Sequence, residues 1–366
     1  MRRPTIHLGL FFATLFLLSV GLILIYSTSA IYAQERYGDA YYFLKRHGIY
    51  SGLSLGALFI ILKLPLELFK KISYPILFLG LIFMIGVFIP GVGHRVGIAS
   101  RWIRLGFFQF QPAEFMKLAM IFYFSYILTE KDWSQRIFIK LIPHFFVVSC
   151  VLFFLYYQPD FGNFVIVSLI TGFMIFIAGV KVTYVVVAIV VSCPFLYSLA
   201  YAKAYRRKRI LSFLNPWDDP KNSGYQVLQS FLAFFEGGFL GQGLGGGRSK
   251  LFYLPQAHND FIYASLGEEL GFLGCIVVLF TFFYIVHQGI RIALSAPSPF
   301  FRCLTAGITF MIGVEALLNM AVVLGLLPTK GLPLPFISYG GTSLVINVIA
   351  IGILLKISQF TKENAS

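Results

Sequence analysis

Apolar residues fall into ten stretches near the length needed to cross the hydrocarbon of a bilayer. They lie at about 7–27, 48–63, 73–90, 112–129, 141–157, 164–180, 183–201, 262–288, 303–324 and 342–359. Short polar segments separate most of them, and 141–180 divides into two around Gln158-Pro159-Asp160. In lipid every backbone polar group must be paired within its own segment, so such stretches fold as helices. The pattern predicts an all-α integral membrane protein of about ten transmembrane helices, one polytopic domain spanning 1–366. Leu8 to Tyr26, behind Arg2 and Arg3, is long enough to span and reads as a retained first helix rather than a cleaved leader.

Ten spans put both termini on one side. With the termini inside, thirteen Lys and Arg face inward and fifteen outward, but eight of the fifteen sit in one long connection, 202–261. Long loops translocate largely regardless of charge. Without that loop the tally is thirteen to seven, so the termini are expected in the cytoplasm and 202–261 becomes a large extracytoplasmic loop between helices 7 and 8. Spans four, six, eight and ten then begin at the outer face, at Pro112, after Pro159, near Asp260 and after Gly340-Gly341. Helix starts carry free N–H groups and a partial positive charge, so their convergence would make an anion-binding floor below that surface.

Composition agrees with a lipid solvent: 58% of residues are hydrophobic and only 12% charged, with 41 Phe and 20 Tyr. The net charge of +14 is spread between apolar spans with no separate basic domain, which argues against nucleic acid and for membrane lipids or an anionic substrate. Cys150, Cys193, Cys275 and Cys303 lie in apolar runs at no metal-like spacing and read as small buried hydrophobes. The Gly241–Gly247 run lacks the strand–turn–helix setting of a nucleotide fingerprint and reads as a flexible loop.

A few polar residues remain as candidates. Asp260 stands where the long loop enters the eighth span; it reads either as a helix cap or as a carboxylate able to take a proton from a sugar hydroxyl. Arg206, Arg207, Lys208, Arg209, Arg248 and Lys250 in its loop would keep a carboxylate ionised and receive a phosphate leaving group. Glu114 and Lys117 lie one turn apart on span four, as an internal ion pair or as lining of a polar cavity. Asp160 opens span six, as a cap or as lining of the same cavity. Glu268, Glu269 and Glu315 are also intramembrane, and Asn319 shares a face with Glu315. The proline-rich segment Pro328 to Gly341, with Lys330 and Ser338, reads as a cavity rim. His258 reads as a hydrogen-bonded loop residue.

These segments bring a known family into view. Gly325-Leu326-Leu327-Pro328-Thr329-Lys330-Gly331 through Ser343 resembles the C-terminal signature of the SEDS (shape, elongation, division and sporulation) proteins, closer in Pro-Thr-Lys-Gly to the FtsW and sporulation branch than to the RodA branch. Leu254 to Gly271 is similar to the family too, as are Arg101-Trp102-Ile103, Gln111-Pro112-Ala113-Glu114 with Lys117, Gln158-Pro159-Asp160 and Asn215-Pro216-Trp217. At Gln256 and Asn259 family members often carry Glu and Thr instead.

The resemblance implies a peptidoglycan glycosyltransferase of the bacterial cytoplasmic membrane, placed at the division septum. Its substrate would be lipid II, the undecaprenyl-pyrophosphate-linked disaccharide pentapeptide. Its partner would be a class B penicillin-binding protein transpeptidase, alongside other division proteins. Asp260 falls on the family's essential acid, and Arg101, Glu114, Lys117 and Asp160 on positions treated as functionally important. Arg206, Arg248, Lys330 and Ser338 complete the expected substrate-binding set. No cofactor is required by the sequence; a magnesium or manganese ion on the diphosphate is compatible, although no dedicated metal cage is visible. Two rivals are a flippase for the same lipid and a non-catalytic division scaffold.

Overall fold

The computed structural model describes residues 7–96, 99–106, 108–130, 137–177, 179, 183, 211–220, 222, 224–247, 257–329 and 331–361. Its N-terminal half runs α1 (Leu8–Tyr37), α2 (Tyr42–Lys63), α3 (Leu66–Lys71), α4 (Ser73–Gly86), β1 (Gly93–Val96), β2 (Ala99–Leu105) and β3 (Phe108–Phe110). It continues through α5 (Pro112–Glu130), α6 (Ile137–Tyr157) and α7 (Phe161–Ile177). The C-terminal half holds α8 (Tyr225–Gly237), α9 (Ile262–Leu294), α10 (Pro299–Val323) and α11 (Gly341–Ser358).

Nine of the ten apolar stretches coincide with these helices; 183–201 lies almost wholly outside the described residues. Helices α1, α9, α10 and α11 are long and apolar enough to cross a membrane, and α4, α7 and the 142–157 part of α6 are shorter apolar helices. The stretch at 48–63 belongs to a longer helix of 22 residues, because Tyr42–His47 extend α2 beyond its apolar part.

Helix α5 is buried almost all round, against α4, α7, α10 and α11. A helix enclosed on every side must be apolar on every side, and Met116, Ala119, Met120, Ile121 and Phe124 meet that demand. Phe12 on α1, Phe78 on α4 and Phe280 and Phe283 on α9 point outward instead, as expected for a lipid-facing shell. Gly21 lets α1 approach the 336–337 backbone: a Cβ there would lie 2.9 Å from Ile337 Cα. Tight crossing of this kind is the use small residues serve between membrane helices.

Two features depart from the sequence reading. The connection before α5, to which the sequence reading assigned no element, folds into an antiparallel sheet of order β1-β2-β3 pairing Gly93 with Ile103 and Ile103 with Phe110. The long loop also carries α8, which packs along α9. That contact exists because α9 breaks at Gly271 (φ 67°, ψ −166°). The break frees backbone groups, and the turn after α8 takes them up. Gln242 and Gly243 N–H donate to the Glu268 and Glu269 carbonyls at 3.0 Å each, and Phe272 N–H donates to Gly238 O at 2.9 Å. Gly238, Gly241, Gly243 and Gly245 all have positive φ, so the glycine run is the turn that plugs this break.

A methyl group at position 271 would strain a left-handed conformation and run into the Gly241 and Phe239 backbone. Gly271→Ala is therefore expected to cost about 1–3 kcal/mol, read as a lower Tm in detergent.

Candidate active site

The four helix starts meet around one segment, 331–342. Gln111 N–H, leading into α5, donates to Thr342 Oγ1 at 3.0 Å, and that hydroxyl donates to Gln109 O at 3.0 Å, tying the starts of α5 and α11 together. Asp160 leads into α7 and accepts from Gln111 Nε2 at 3.0 Å. A Cβ on Gly162, in the first turn of α7, would lie 2.8 Å from Leu332. Asp260, ahead of α9, sits against Gly331, where a Cβ would be 3.1 Å from its Oδ2. Four N-terminal ends around a single rim give the partial positive field that favours an anion.

Two aspartates on this rim have different tasks. Asp160 is buried and caps α7: Asn163 N–H donates to its Oδ1 at 3.4 Å and Asn163 Nδ2 to its Oδ2 at 2.9 Å. Arg101, on β2, donates to the carbonyls of Pro159 and, at 3.4 Å, Gln158, so it braces the turn that presents Asp160. Asp260 is half-buried and is not the cap of its helix; the cap position of α9 is Phe261, with no side-chain capping bond. The cap reading thus holds for Asp160, and Asp260 keeps a carboxylate at the rim.

Beneath the rim lies a buried ionic cluster. Lys117 Nζ donates to Glu114 Oε2 at 2.8 Å and to Glu315 Oε1 on α10. Asn347 Nδ2 on α11 donates to Glu315 Oε2 at 3.2 Å and to Ser343 O at 3.0 Å. The expected Glu114–Lys117 pair is therefore one edge of a triad joining α5, α10 and α11. Glu268 and Glu269 are buried as well, and Ser27 on α1 donates to Glu269.

The model of the FtsW/RodA/SpoVE family, described as cell cycle protein, matches residues 8–363. The chain belongs to this family. It is 45% identical over 344 residues, 93% of this chain and 92% of the relative, to a Geobacter sulfurreducens protein named probable peptidoglycan glycosyltransferase FtsW. It is 38% identical to stage V sporulation protein E of Bacillus subtilis over 99% of both chains. Among solved structures it matches, at TM-score 0.81 and 26% identity over 97% of this chain and 98% of the other, one described as structural coordination of polymerization and crosslinking by a peptidoglycan synthase complex.

Within this FtsW/RodA/SpoVE chain the site residues expected from the sequence divide into three groups. Asp260, Asp160 and Arg101 stand at the rim. Glu114 and Lys117 lie in the buried triad. Arg206, Arg248 and Lys330, with the rest of the loop cluster 206–209 and Lys250, lie outside the described residues. Ser338 is buried and spends its hydroxyl on the rim itself, accepting from Leu334 N–H at 2.8 Å and donating to Asn259 O at 2.7 Å.

Sequence reasoning placed Asn319 only on a face with Glu315; its amide donates to Asp260 O at 2.8 Å and to Leu332 O at 2.6 Å. Its position one turn after Glu315 was visible, but its partners come from two other segments. Among the described residues no three His, Cys, Asp or Glu gather. Burial among Tyr32, Phe43 and Tyr339 pulls the His258 imidazole down to about 4, so it is neutral at pH 7.

Proposed function

We propose that this chain polymerises lipid II into glycan strands at the outer face of the bacterial cytoplasmic membrane during division. Relatives named peptidoglycan glycosyltransferases align over more than nine-tenths of the chain, and it is an enzyme of that class. In this reading ten helices cross the membrane with both termini cytoplasmic, and 202–261 lies outside.

The observation that carries the reading is the Asp260 carboxylate at a rim of four helix starts, against Gly331. Asp260 takes the proton from the 4-hydroxyl of the acceptor GlcNAc. That oxygen bonds to the anomeric carbon of the donor MurNAc, whose bond to phosphate breaks, and undecaprenyl pyrophosphate leaves with the electron pair. Converging helix starts and the loop cations, Arg206, Arg248 and Lys330 among them, stabilise the departing diphosphate. Arg101 and Asp160 shape the opposite wall, Ser338 fixes the rim, and Glu114 with Lys117 closes the floor. The likeness to a peptidoglycan synthase complex that coordinates polymerization and crosslinking supports a class B penicillin-binding protein as partner, and the septum as the place of work rests on the resemblance to the FtsW branch.

The second reading is a lipid II flippase. Interrupted helices are a feature of transporters, and α9 is interrupted at Gly271. Purified protein with a co-expressed transpeptidase, given labelled lipid II in liposomes, separates the two. Glycan polymer formed from outer-face substrate supports the enzyme; translocated lipid without polymer rejects it.

His258, whose ring lies against Tyr339 of the rim, is a competing base. His258→Phe is expected to keep polymerisation, because in this reading the acceptor proton goes to Asp260 and not to this ring. The stability consequence has a definite sign. The folded state holds this proton less tightly than the unfolded chain, so His258 lowers stability as pH falls from the ordinary histidine value of about 6.5 toward 4. His258→Phe should flatten the acid side of a Tm–pH profile.

A further inference from the structure

We infer that Asn319 is a positioning residue for Asp260, holding the turn that carries it at a fixed distance from the 331–339 rim. The inference rests on the reading of Asp260 as the general base.

Three consecutive carbonyls of this turn are each taken by a donor from elsewhere. Tyr339 N–H donates to His258 O at 3.0 Å. Ser338 Oγ donates to Asn259 O at 2.7 Å. Asn319 Nδ2 donates to Asp260 O at 2.8 Å and, with its other hydrogen, to Leu332 O at 2.6 Å. Two of the donors belong to the rim and travel with it. Asn319 stands on α10, so its amide ties both the turn and the rim to the buried bundle.

A primary amide has two hydrogens, and here both go to carbonyls, one on each of the two segments that face each other across the Asp260 carboxylate. Asn319 is 1% exposed, so its donor side has no spare capacity for substrate. This is the geometry of a spacer rather than a contact. Gly331, exposed on the rim, completes it: it sets no side chain against Asp260 Oδ2, which a Cβ there would meet at 3.1 Å. Glu315, one turn earlier on α10, anchors the same helix face to Lys117. The position of the base is therefore referred to the rigid interior of the bundle, as pre-organised catalysis requires.

The test is steady-state polymerisation of labelled lipid II by the purified protein with its transpeptidase partner, comparing N319A, D260N, D260N/N319A and G331A with the parent. Displacement of a reacting group by about 1 Å can cost about 100-fold. N319A is accordingly expected to lose about 10- to 100-fold in kcat with KM little changed. The double variant should be no slower than D260N, because a base that has been removed cannot be misplaced.

Parental kcat in N319A, a change confined to KM, or a double variant multiplicatively slower than D260N would overturn the inference. If N319A fails to accumulate in folded form, G331A decides. Its methyl would sit 3.1 Å from Asp260 Oδ2 at an exposed position, so kcat should fall with Tm retained; parental kcat there overturns the proposal. Parental activity in D260N would sink the assignment of the base and this inference with it. Loss in D260N beside full activity in both N319A and G331A would sink this inference alone.

Discussion

Asp260→Asn is expected to lower lipid II polymerisation by about 10²- to 10⁴-fold, the usual contribution of a positioned base, while the variant stays folded and membrane-inserted. The exchange keeps the shape of the side chain and removes its charge and its capacity to take a proton. It leaves untouched the three carbonyl bonds that fix the turn, since these involve the backbone of residues 258–260. The helix start should survive too, because the cap position of α9 belongs to Phe261. Asp160→Asn provides the contrast. An asparagine can still accept from the Asn163 backbone N–H through its one carbonyl oxygen and remains a good cap, so its effect on rate should be the smaller of the two. Measuring polymer yield and Tm for both variants checks the division of labour; equal losses in the two would contradict it.

Much of the bundle was legible because lipid makes local sequence answer for itself. A run of apolar residues such as Gly341–Ser358 must be helical wherever it packs. The Glu114–Lys117 pair was legible for the same reason, since two opposite charges one turn apart share a face.

What sequence did not disclose depends on partners distant along the chain. Helix α9 reads as one continuous span, yet it breaks at Gly271 because the 238–243 turn offers replacement hydrogen bonds. The glycines of that turn looked like a flexible loop; their left-handed conformations are demanded by the docking. Arg101 was expected from the family resemblance and Ser338 from the proline-rich segment it lies in. Their hydrogen bonds go to protein carbonyls at 158–159 and 259, which no spacing rule could anticipate.

The buried triad carries the other large effect. Lys117→Met is expected to cost about 3–5 kcal/mol, a large part of the stability of a typical domain, and to reduce the amount of folded protein in the membrane. Lys117 is the single ammonium between Glu114 and Glu315, and all three are buried. Its removal leaves two carboxylates facing each other in a site where neither can be solvated. Glu315→Gln should be far milder. It removes the carboxylate in excess of the ammonium, and its amide oxygen can still accept from Asn347 Nδ2 or Lys117.

Combining Lys117→Met with Glu114→Gln and Glu315→Gln should return most of the lost protein, because the penalty comes from unpaired charge and not from lost volume. Comparing yield and Tm across these variants tests the point. If the triple variant folds yet polymerises poorly, the triad matters to the site above it through Asn319, one turn along the same face of α10. If it neither folds nor accumulates, charge imbalance is not what Lys117 relieves.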